Sequence, residues 1–174
     1  YLAQKLSHVD IKVKQASVCS LGLLPEKSAN TLLTSRLEQE QGQNKALVLL
    51  ALSYQNPEIM ERSGHDEDRS VRLEVAKFAG KHPSRTNLTT LLKLVKERDP
   101  EIQQAAVEAV KNWEKELAFP VLAAGFHLGM FQTRQQARES LEQHFQIVIA
   151  GIEDSQEQRR QILDQIQSEH LPEI

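Results

Sequence analysis

The chain has 174 residues, 40% of them hydrophobic and 26% charged, with a formal net charge of −3. That length can bury a sizeable core without covalent staples, and a single cysteine, Cys19, excludes an intramolecular disulfide framework. Residues 1–87 hold 12 Lys and Arg against 10 Asp and Glu, and residues 88–174 hold 9 against 14. Neither half carries the concentrated basic surface that phosphate neutralisation needs, and no run of about 20 apolar residues exists to span a bilayer.

Taken in chain order, Tyr1-Leu-Ala-Gln-Lys-Leu6 has a helical pattern, with neither an initiating Met nor a signal-like start. The chain is therefore read as a piece of a longer protein. Asp10-Ile-Lys-Val13-Lys14 then opens a helix, and its pattern returns as Asp68-Arg-Ser-Val71-Arg72 and Asp99-Pro-Glu-Ile102-Gln103. With the Val or its equivalent as origin, units begin at Val13, Asn44, Val71, Ile102 and Thr133, at intervals of 31, 27, 31 and 31. A fixed period in this range marks a solenoid, in which each unit buries its apolar face by stacking on its neighbours. Second helices are expected from near Asp10, Gly42, Asp68, Asp99 and Gln132, lining an inner curve. Asp10, Asp68 and Asp99 suit helix caps, because a carboxylate accepts from the free amides of a first turn. Gly22 and Gly80 fit helix ends that need a left-handed residue.

First helices precede these. Pro25, Pro57 and Pro83 sit just before them, where a missing amide costs nothing. Leu32-Leu33, Leu91-Leu92 and Val121-Leu122 mark three of them. The short 27-residue interval requires the helix near Glu58 to Ser63 to lose about a turn. Phe119 to Phe131 is too short for a membrane span and reads as a buried helix, and Glu153 to His170 reads as a final polar helix that closes the stack. The expected fold is all-α: a solenoid of about five antiparallel helix pairs with a C-terminal closing helix, residues 1–174 forming one domain.

The columns of the repeat carry the chemistry. Offsets +4, +5 and +8 hold Ser17, Val48, Val75, Ala106 and Ala137; Val18, Leu49, Ala76, Val107 and Arg138; and Leu21, Leu52, Ala79, Val110 and Leu141. They fall on one broad inward stripe. Arg138 breaks it, and a charge is rarely buried unpaired, so either a carboxylate partner or a local helix rotation is expected. Lys14, Lys45, Arg72, Gln103 and Arg134 at +1 could be drawn as a basic ladder for an acidic ligand, but they lie on the flank of the stripe rather than opposite it. Offsets +2, +6 and +10 point away. They are polar in the last three units apart from Leu73, but in the first two they are Gln15, Cys19, Leu23 and Ala46, Leu50, Tyr54. That apolar face has two readings: upstream residues cover it, or a protein partner docks on it through Leu23, Leu50 and Tyr54.

Asp68-x-x-Val71-Arg72-x-x-x-Ala76 and Asp99-Pro-Glu-Ile102 with Ala105-Ala106 resemble the HEAT-repeat superfamily, especially the short units of bilin-lyase-like proteins. The resemblance implies an α-solenoid and a structural ladder along the +1 column, a role that Asp68 with Arg72 and Asp99 would suit. It leaves function to the site, since the superfamily holds scaffolds, transport receptors, lyase subunits, DNA glycosylases and a metal-dependent hydroxylase. The hydroxylase binds iron through His-Glu pairs. Here none of His8, His65, His82, His127, His144 and His170 is followed by Glu, and no metal site is expected. The glycosylase groove is basic and aromatic, whereas Trp113, the sole Trp, lies in the acidic half and reads as a packing residue. Gly64-His-Asp-Glu-Asp68 is read as a capped turn rather than a cation site. Without a phosphate loop or nucleophile motif, the function expected is non-catalytic protein binding or scaffolding, with no cofactor and no nucleic acid. The alternative is an enzyme or enzyme subunit of bilin-lyase or glycosylase type using the same groove.

Overall fold

The computed structural model describes residues 1–6, 8, 10–150 and 155–171. Among these every regular element is a helix: α1 (Leu2–Lys5), α2 (Ile11–Gly22), α3 (Lys27–Leu37), α4 (Gly42–Ser53), α5 (Glu58–Arg62), α6 (Arg69–Lys81), α7 (Arg85–Leu94), α8 (Pro100–Ala109), α9 (Lys115–Leu128), α10 (Phe131–Phe145) and α11 (Gln156–His170). The five second helices are α2, α4, α6, α8 and α10. Each begins within a residue of the position that the repeat predicts. The shortened first helix is α5, which ends in a 3-10 turn at Ser63–His65. Glu153, the expected start of the closing helix, lies outside the described residues, and α11 begins at Gln156 with Ser155 as its cap.

The caps explain the starts. The Asp10 carboxylate accepts from the Lys12 amide at 2.8 Å, that of Asp68 from Ser70 at 2.9 Å, and that of Asp99 from Glu101 and Ile102 at 3.0 and 3.2 Å. Pro100 occupies the first position of α8, where its missing amide is no loss.

The chain forms two compact units, Tyr1–Phe78 and Ala79–Ile174. In the first, α2 and α4 pack side by side and α3 packs against both. Their contact buries Val18, Leu33, Val48, Ala51 and Leu52, each Val or Leu contributing about 1.5–3 kcal/mol of transfer free energy. In the second, α8 packs on α10, while α9 packs against α7, α8, α10 and α11, the same arrangement repeated. Val107, Val121, Leu122, Phe126 and Leu141 fill its core. Gly125 admits Val107, because a β-carbon there would lie 2.7 Å from the Val107 Cγ2.

Two glycines serve a purpose other than the one expected. Neither Gly22 nor Gly80 is left-handed; among the described residues positive φ occurs at Gly42 and Gln146. Gly22 instead lies on the Ala51 backbone, where a β-carbon would be 2.8 Å from the Ala51 Cα. Gly80 lies in the same way on Ala109, at 3.0 Å. Both pairs join offset +9 of one second helix to offset +7 of the next. Offset +11 completes the joint: Gln55 Nε2 donates to the Gly22 carbonyl at 3.1 Å, and Trp113 Nε1 to the Gly80 carbonyl at 3.2 Å. Trp113 is thus a buried packing residue with its indole proton satisfied.

At the C-terminal end, α11 packs on α9 and has Leu163 and Ile166 buried, and Arg159 donates to the His127 carbonyl at 3.3 Å. The Phe145 ring meets Phe119 edge-on at 5.8 Å. Arg138 meets a carboxylate, Glu142, at 3.9 Å, with its side chain still 24% exposed. Glu142 also accepts from the Ile149 amide at 2.9 Å, so the segment after α10 folds back onto that helix. A terminal repeat with a polar face needs no apolar residue there. Partly exposed ion pairs contribute little, so Arg138→Leu is expected to change unfolding free energy by less than about 1 kcal/mol. Glu142→Ala, which strips the Ile149 amide of its acceptor, should cost about 1–2 kcal/mol. Urea unfolding of both variants checks the order, and a larger loss for Arg138→Leu would contradict it.

Candidate functional site

The +1 column is occupied by structural work. Lys14 Nζ lies 3.4 Å from Glu40, and Lys45 Nζ lies 2.8 Å from Asp66. Arg72 donates to the Asp66 and Glu67 carbonyls at 2.8 and 3.0 Å, and Arg134 donates to that of Gly129 at 3.0 Å. Gln103 does the same without charge: its amide donates to the Glu97 carbonyl at 2.6 Å and accepts from the Met130 amide and Thr133 hydroxyl at 3.0 and 3.1 Å. Each of these side chains ties a second helix to a turn, its own or the next one. The acidic turn is equally committed, since Asp66 accepts from the Asp68 amide at 2.9 Å and Asp68 from the Gly42 amide. Among the described residues no three His, Cys, Asp or Glu come together as a metal site, and no helix is long and apolar enough to cross a membrane.

The apolar face of the first unit is split by packing. Ala46, expected outside, is only 6% exposed, because α4 is flanked by α2, α3 and α5. Its other outward residues differ: Leu50 and, on α2, Cys19 are half-buried, while Tyr54 is 53% and Leu23 69% exposed. Leu23 and Tyr54 occupy the same repeat position, each just past the end of its helix. Gln55 fixes their proximity by donating to the carbonyls on either side of Leu23, those of Gly22 and Leu24, the latter at 2.6 Å. Leu50 lies one turn before Tyr54, on the same side of α4. Burial, and then the charge of Glu74, push the Cys19 thiol above its ordinary range, so it stays protonated and is a poor nucleophile. The equivalent positions in later repeats are exposed Lys81, Asn112 and Gln143.

The second unit has an apolar ridge that the columns did not single out. Leu128, Met130 and Phe131 are all exposed at the turn between α9 and α10, and the Arg134 guanidinium lies 5.8 Å from the Phe131 ring. The sequence does hold a signal for it. The capping column reads Asp10, Gln41, Asp68, Asp99 and then Met130, which offers no side-chain cap.

Within each unit, helices packed side by side, with side chains tying one repeat to its neighbour, define a helical-repeat protein. Residues 56–142, half of the chain, match the family model of HEAT repeats, and the chain belongs to that family. Comparison with curated proteins gives no match. HEAT-repeat proteins typically mediate protein interactions.

Proposed function

We propose that the chain is a non-catalytic protein-binding or scaffolding module whose docking surface is formed by Leu23, Leu50 and Tyr54. The observation that carries this reading is the exposure of Leu23 and Tyr54 at one repeat position of adjoining helices, where the later repeats place polar side chains. An aromatic and two leucines held on rigid helix ends lose little side-chain entropy on binding and match the anchors that dominate interface energetics. With no basic concentration in either half of the sequence, the partner is a protein rather than a nucleic acid.

A photo-crosslinking residue at position 54, introduced into the protein in its native cells, identifies the occupant. The purified partner is then titrated against variants. Leu23→Ala, Tyr54→Ala and Leu50→Asp are each expected to weaken binding by about 5- to 150-fold, the equivalent of 1–3 kcal/mol. Lys77→Ala and Glu108→Ala should leave it within about twofold, as truncations outside an interface do. The helical signal and thermal midpoint should hold for Leu23→Ala and Tyr54→Ala, whose side chains are more than half exposed. Unchanged affinity, or unfolding of those two variants, would overturn the assignment.

A further inference from the structure

We draw no further inference here: the strongest candidate, the exposed apolar ridge of Leu128, Met130 and Phe131 at the turn between α9 and α10, is an unpartnered surface and nothing in the structure shows what covers it.

Discussion

Gly22→Val is expected to destabilise the first unit by about 3 kcal/mol or more, the upper range for overpacking, because the added atoms meet backbone rather than a movable side chain. The β-carbon alone would stand 2.8 Å from the Ala51 Cα, so α2 and α4 must separate. Separation also removes Gln55 from the Gly22 carbonyl and loosens the contact that buries Val18 and Leu52. For a unit of this size the loss corresponds to a fall of roughly 12 °C or more in thermal midpoint. Gly42→Asn is the control. Gly42 has φ 60° and no atom within 4 Å of its β-position, and Asn tolerates the left-handed region, so its midpoint should move by only a few degrees. Thermal unfolding followed by circular dichroism separates the two. An unaltered midpoint for Gly22→Val would show that the helices do not meet there.

The second large effect belongs to Gln103→Leu. The substitution keeps the volume but leaves the Met130 amide, the Thr133 hydroxyl and the Glu97 carbonyl without the partner that Gln103 supplies. Thr133 and Gln103 are both buried, so water does not readily replace the bonds. Orphaned buried groups cost about 1–3 kcal/mol each, and a total of about 3 kcal/mol is expected. Thr133→Val removes one orphan. The double variant should therefore lose about 1 kcal/mol less than the two single losses added together. Strict additivity in urea unfolding would mean that the bond between Gln103 and Thr133 contributes nothing.

The helices were legible because their causes are local. Asp at one offset caps three of the five second helices, and the prolines precede three first helices whatever else packs nearby. The short interval between Asn44 and Val71 gave the loss of a turn in α5 from chain length alone. Gly22 and Gly80 were misread because a left-handed helix end and a close backbone approach both select glycine, and only the neighbouring helix distinguishes them. Arg138 was legible as a break in the apolar stripe, but its carboxylate, Glu142, came from its own helix, one turn on.

The site was less legible. Ala46, Leu50 and Tyr54 share one side of α4 in the periodicity, yet Ala46 is sealed and Tyr54 open. Exposure changes along a single face according to which neighbouring helix extends past it, and periodicity contains no such length. The ridge at Met130 escaped for a different reason. A missing cap looks like a weak helix start until the Met130 amide is found bonded to Gln103 and the apolar side chain is left outside.

Amide hydrogen exchange of the intact protein, alone and saturated with the partner recovered through position 54, tests the docking surface most directly. Exchange reports local protection along the backbone, so it places the interface without altering a residue. New protection is expected to be confined to residues 19–24 and 46–57, around the ends of α2 and α4 that carry Leu23, Leu50 and Tyr54. Protection centred on residues 128–134, with none at those helix ends, would contradict it.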